Sequence, residues 1–161
     1  MTARLNPLAA APSVMKEWQR ASFAIAHSFE QSLSALIEIR TSQINGCANC
    51  LNMHTVFARE AGETEQRIYL LSAWREAPCY TDRERAALAW AEAMTTLSQG
   101  HTHAAAYEAL KPHFTEEEIV KLTLLINVIN GWNRIAVGFG LWVDPETIKP
   151  AAHDATKAAA A

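Results

Sequence analysis

"TEEEIVKLTLLINVINGWNRIAVGF", Thr115 to Phe139, is the stretch on which the fold turns. Thr115 followed three residues later by Glu118 fits a capping box, in which hydroxyl and carboxylate satisfy each other's backbone amides at a helix start. Beyond it, apolar residues lie on nearly every helical face: Ile119, Val120, Leu122, Leu124, Leu125, Ile126, Val128 and Ile129. A helix apolar all round is buried, so this one is expected at the centre of the molecule or in a subunit interface. The apolar stretch runs on to Val143, but Lys121, Asn127, Asn130, Asn133 and Arg134 interrupt it, as in a buried helix and not a membrane span.

Working outward, "TDRE" at Thr81 to Glu84 is a second capping box. Ala87, Trp90, Ala91, Met94 and Leu97 follow it at helical spacing. Further helices are expected near residues 12–27, 29–45, 47–61, 64–76 and 102–111, with Gly62 as a C-terminal cap and Pro78 as a break before Thr81. No run alternates apolar and polar residues for long. The Asn-Gly pairs at Asn45-Gly46 and Asn130-Gly131 do not stand between strand-like runs. The expectation is an all-α protein, one domain over residues 1–161, with Ala- and Pro-rich ends (1–11 and 150–161) hanging loose.

Composition narrows the function classes. Half of the 161 residues are apolar, with five Trp and five Phe, enough for a sizeable core. A net charge of -3 with both signs interspersed argues against nucleic acid as a partner. Three cysteines, two of them in one motif, are a poor basis for a secreted disulfide framework. The first twenty residues hold no run long enough for a signal-peptide core. A soluble, cytoplasmic protein with no membrane partner is expected.

Chemistry concentrates in "QINGCANCLNMHT", Gln43 to Thr55. With a helix starting near Gly46, Cys47 and Cys50 are i and i+3, and His54 is i+4 from Cys50, all on one face. Cα atoms three apart on a helix lie about 5 Å from each other, within the reach of a disulfide. The thiolate is favoured at a helix N-terminus and beside an imidazole. A redox dithiol with its own base fits these residues. Three alternatives stand beside it. Zinc would need a fourth ligand from Cys79, His101, His103 or Glu38, none at a familiar spacing. Two small buried cysteines are another reading. A thioredoxin-like motif would require strands around the pair.

"LIEIRTSQINGCANCLNMHT", with "AGETEQRIYLLSAWREAPCYTDRERAALAWAEAMT" and "LTLLINVINGWNRIAVGF", resembles the AhpD-like family within the carboxymuconolactone decarboxylase superfamily. The likeness covers roughly residues 30–140. It implies an all-helical oligomer whose dithiol members are peroxidases, reducing hydroperoxides through the cysteine pair beside a histidine–glutamate proton relay. Cys47, Cys50 and His54 match the family motif directly. In the best-known branch the glutamate stands about one turn further upstream, where this sequence has Ala35. Glu38 shares a helical face with Ala35 and is the candidate here, against the alternative of a charge paired with Arg40 or Arg134. Asn49 stands where that branch has a histidine before the second cysteine.

Two effects bear on which thiol attacks. The helix terminus favours a Cys47 thiolate by only about 0.3–1 kcal/mol. A base one turn from Cys50 is worth roughly 10²–10⁴ in rate. Cys50 is therefore expected as the nucleophile and Cys47 as the resolving thiol, in agreement with the resemblance. The chemistry needs a hydroperoxide and an external dithiol or thiol, and no cofactor or metal; the six glycines form no phosphate-binding loop. Decarboxylase-type proton chemistry on a small ring and a redox switch without turnover are the rival functions.

Other residues read as structural. Thr102 within "HTH" (His101 to His103) is a helix cap, and Cys79 after Pro78 a small hydrophobe. Trp74, Trp90 and Trp132 are packing residues. "NGWNR", Asn130 to Arg134, is expected to hydrogen-bond in the structure or at a subunit contact, with lining of the active-site pocket as the alternative. The apolar helix and the resemblance together point to a homo-oligomer, a dimer, trimer or hexamer.

Overall fold

The computed structural model describes residues 3–100, 103–144 and 147–148. Among them are eight α-helices and no strand: α1 (Pro7–Ala10), α2 (Pro12–Ala26), α3 (Gln31–Asn45), α4 (Ala48–Glu60), α5 (Glu65–Leu70), α6 (Asp82–Thr95), α7 (His103–Leu110) and α8 (Glu116–Phe139). The all-helical expectation holds. Both capping boxes form reciprocally, Thr81 with Glu84 and Thr115 with Glu118. Gly62 has φ 96°, and the N–H groups of Gly62 and Glu63 donate back to Arg59 and Ala58, so it ends α4 as expected.

Two helices stop earlier than their sequence pattern. The helix expected over 64–76 ends at Leu70 and tightens into a 3₁₀ turn, Leu71–Ala73. Arg85 on α6 donates to the carbonyls of Trp74, Arg75 and Ala77, so these groups need no helical partner. The stretch from Ile119 leaves the helix after Phe139, at Gly140 with φ 66°. Leu141, Trp142 and Val143 then lie outside the helix, although the apolar run extends through them.

α3 packs against α4, α6 and α8, and α8 also packs against α2, α4 and α6. Leu36, Ile37 and Ile39 of α3 meet Leu88 of α6 and Leu122, Leu125 and Ile126 of α8 in the core, all fully buried. Each such side chain contributes about 1.5–3 kcal/mol by leaving water. α8 is central, yet Val120, Leu124 and Val137 remain exposed on its outer side. At Gly131 it faces Trp18 of α2. A Cβ at Gly131 would stand 2.7 Å from that indole, so only glycine lets the two helices approach this closely.

The N-terminal segment is docked, contrary to expectation. The Arg4 backbone N–H donates to the Phe139 carbonyl (2.8 Å), and its guanidinium donates to the carbonyls of Val137 and Gly138, both at 3.1 Å. These are final-turn carbonyls of α8, which a helix leaves without partners, and a cation suits that end of the dipole. Asn6 caps α1 through the N–H groups of Leu8 and Ala9. The expectation for residues 150–161 lies outside the described residues.

Trp74, Trp90 and Trp132 behave as packing residues with satisfied N–H groups. Trp74 donates to Glu92, Trp90 to Thr123 and Trp132 to Ser22. Cys79 is a free, half-buried thiol against the main core. His101 and Thr102 of the "HTH" stretch lie outside the described residues, and His103 begins α7.

Candidate active site

The turn between α3 and α4 creates the site. Gly46 takes φ 65°, and the N–H groups of Gly46 and Cys47 donate back to the carbonyls of Gln43 (3.3 Å) and Ser42 (3.0 Å). This closure ends α3 with a left-handed glycine and delivers Cys47 as the N-cap of α4. Cys47 is thus extended (φ -85°, ψ 92°), one residue short of the helix expected to contain it, and its Sγ accepts the Cys50 N–H at 3.3 Å. The two cysteines are joined as a disulfide with Cα atoms 5.4 Å apart. They pack with Ile129, Ala136 and Leu141 in a small apolar cluster, 1% and 4% exposed.

A buried amide network holds the turn from below. Asn45 Nδ2 donates to both Asn130 Oδ1 (2.9 Å) and Asn133 Oδ1 (2.8 Å). Asn133 Nδ2 donates to Ser42 Oγ, and Asn130 Nδ2 to Thr95 Oγ1 and the Ile126 carbonyl. Arg134 donates to the Asn130 carbonyl and side chain. The polar residues of "NGWNR" therefore serve within the chain, tying α8 to the end of α3 where the dithiol begins. Asn45 was not singled out in the sequence. Its place beside Gly46, opposite two asparagines on a buried helix, was the available signal.

His54 and Glu38 meet across the helix pair. Gly46 is eight residues from each (46 − 38 and 54 − 46), so an antiparallel hairpin brings them to the same level. Glu38 Oε2 lies 3.0 Å from His54 Nδ1, and both side chains are largely buried. Burial opposes the imidazolium, but the charge and hydrogen bond of Glu38 outweigh it, holding His54 above the ordinary imidazole pKa. With Nδ1 engaged by Glu38, Nε2 is the nitrogen left for proton exchange. Glu38 is not the partner of Arg40 or Arg134. Arg40 pairs with Glu92 at 2.8 Å, and Arg134 bonds to Asn130.

Chemically, the arrangement joins a two-electron couple to a buried proton acceptor one helical turn from Cys50. Among the described residues no group of three or more His, Cys, Asp or Glu side chains is placed to hold a metal ion. No described helix is long and apolar enough to cross a membrane.

Comparison with known proteins follows the same lines. The model of the carboxymuconolactone decarboxylase family matches residues 12–93. The uncharacterized protein YdfG of Bacillus subtilis (strain 168) is 41% identical over 141 residues, 87% of this chain and 96% of that protein. A crystal structure of an Agrobacterium tumefaciens protein of unknown function, proposed as the antioxidant defence protein AhpD, superposes with a TM-score of 0.85 at 42% identity, covering 89% of this chain and 99% of that one. The debrominase Bmp8 shares the fold, with a TM-score of 0.77 at 20% identity over 86% of this chain and 76% of its own.

Proposed function

The chain belongs to the carboxymuconolactone decarboxylase family, and on that premise we propose that it is an AhpD-like thiol peroxidase, reducing hydroperoxides through Cys47 and Cys50 and recycled by an external dithiol. The observation that carries this reading is the Glu38–His54 pair, at 3.0 Å, one turn along α4 from a cysteine pair able to bridge.

In the reduced protein His54 takes the proton of the Cys50 thiol, and Glu38 stabilises the imidazolium that results. The Cys50 thiolate attacks one peroxide oxygen and the O–O bond breaks. Cys50 becomes a sulfenic acid, and the leaving alkoxide takes a proton from His54 to depart as an alcohol. The Cys47 thiol then displaces the hydroxyl of the sulfenic acid, expelling water and closing the disulfide. Two thiols have supplied the two electrons. An external dithiol returns them by exchange, itself becoming a disulfide. Cys47 suits the resolving role, because its Sγ accepts the Cys50 N–H at the helix N-terminus, where developing negative charge is favoured.

Steady-state turnover tests the proposal. Cumene hydroperoxide consumption with excess dithiothreitol should continue for many cycles per chain and fall to the background rate in Cys50→Ser. A single stoichiometric oxidation followed by no turnover would instead leave a redox switch.

A further inference from the structure

Leu141, Trp142 and Val143 do not continue α8 but return across the start of α4 as a short strap. Val143 is held there by both its backbone groups. Its N–H donates to Asn49 Oδ1 at 2.7 Å, and its carbonyl accepts from Asn52 Nδ2 at 2.9 Å. These two side chains flank Cys50 in sequence, one on either side. Two residues before this clamp, the Leu141 side chain packs on the cluster that contains both cysteines. Leu141 is itself fastened at the helix end, its N–H donating to the Ala136 carbonyl at 2.9 Å.

Disulfide reduction makes a steric demand. A thiolate must approach one sulfur in line with the S–S bond, forming a mixed disulfide while the other sulfur leaves as a thiolate. Cys47 and Cys50 are only 1% and 4% exposed with the segment in place. A hydroperoxide presents a slim oxygen, whereas a thiol brings a larger sulfur and its own chain. Nothing in the dithiol chemistry requires an asparagine at position 49 or 52, yet both amides are directed to the backbone of one residue, Val143.

We infer that Asn49 and Asn52 are access-determining residues: by clamping Val143 they hold Leu141 over the dithiol and limit the access of thiols to the disulfide. This inference rests only on the reduction step of the proposed cycle, so it can be tested without peroxide. In the reaction, a dithiothreitol thiolate attacks a protein sulfur, the protein S–S bond breaks, and the second dithiothreitol thiol then releases the mixed disulfide. Protein and reagent end as dithiol and cyclic disulfide.

The oxidised full-length chain is mixed with dithiothreitol, quenched with iodoacetamide and mapped by peptide mass, for wild type, Asn52→Ala and Leu141→Ala. Asn49 is left intact because it lies between the cysteines. Removing one neutral hydrogen bond of the clamp should raise the second-order reduction rate roughly three- to tenfold, the shift expected of one such bond. Removing the Leu141 cover should raise it at least as much. Alkylation of Cys79, which packs against the main core and not against the cluster that holds the dithiol, gauges general loosening and should stay at the wild-type rate. Faster reduction in both variants with Cys79 unchanged supports the strap. Anything less than acceleration in both, or acceleration matched at Cys79, overturns it. A protein that lacks peroxidase turnover but shows the pattern would refute the peroxidase reading and keep this one.

Discussion

Replacing Glu38 by Gln preserves the shape of the side chain and removes its charge. In the native protein two influences act on His54: burial, which disfavours the imidazolium, and Glu38, which favours it and prevails. In Glu38→Gln only the burial influence remains, so the His54 pKa should move from above the ordinary imidazole value to below it. The consequence for rate follows from when the ion pair forms. His54 becomes cationic as it takes the Cys50 proton, so the 3.0 Å contact with Glu38 strengthens along the reaction. A hydrogen bond to a charged group is worth about 1.5–3 kcal/mol, which converts to a loss of roughly 10- to 150-fold in the peroxide reaction. The loss should be smaller than that of His54→Ala, about a hundredfold or more on removal of the base itself. Stopped-flow mixing of reduced protein with hydroperoxide gives the rate, and proton NMR titration of the His54 ring gives the pKa. An unchanged His54 pKa, or an unchanged rate despite a lowered pKa, would refute the reasoning.

The same pair makes stability depend on pH. Because the native His54 pKa is raised, its contribution is fully present below about 6.5, the unfolded value, and is lost as pH rises through the higher native value. The stability gap between wild type and His54→Gln, from urea titrations at successive pH values, should narrow through that window; a gap widening with pH would contradict it. Gly131→Ala forces a methyl to 2.7 Å from the Trp18 ring and should cost about 1–3 kcal/mol, less the helix propensity it gains. Gly138→Ala meets nothing within 4 Å on the same helix and should stabilise by about 0.5–1 kcal/mol, so the two variants should shift the urea midpoint in opposite directions. We also expect a homo-oligomer joined through the outer side of α8, where Val120 and Leu124 are 58% and 43% exposed. Sedimentation velocity should show more than the monomer mass for wild type and a lighter species for Leu124→Lys; a wild-type monomer at micromolar concentration would remove this expectation.

What the sequence made legible was local. Capping boxes are short-range hydrogen-bond patterns, so Thr81–Glu84 and Thr115–Glu118 could be read directly, as could Gly62. Cys47, Cys50 and His54 could be grouped because one helix periodicity relates them. The Glu38 contact needed one tertiary step, the hairpin about Gly46. Its position relative to Gly46 held the clue, while comparison with Ala35 only marked a helical face. Arg4 was missed because its partners lie more than 130 residues away, and an Ala- and Pro-rich end gives no sign of them. The strap was missed for a different reason. Leu141, Trp142 and Val143 extend an apolar run, and periodicity outvoted the left-handed Gly140 that ends it. Asn45, Asn49 and Asn52 carry no charge, and their structural roles lie in whom they face.

The account stands most directly on one stoichiometric measurement. Fully reduced protein is given one equivalent of cumene hydroperoxide in the absence of added thiol, quenched with iodoacetamide, and analysed by intact and peptide mass alongside assay of the alcohol. The account predicts one alcohol formed per chain, loss of two alkylatable thiols, and a single Cys47–Cys50 bridge with Cys79 still alkylated. Peroxide consumed no faster than by an ordinary thiol, or a bridge that involves Cys79, would contradict it.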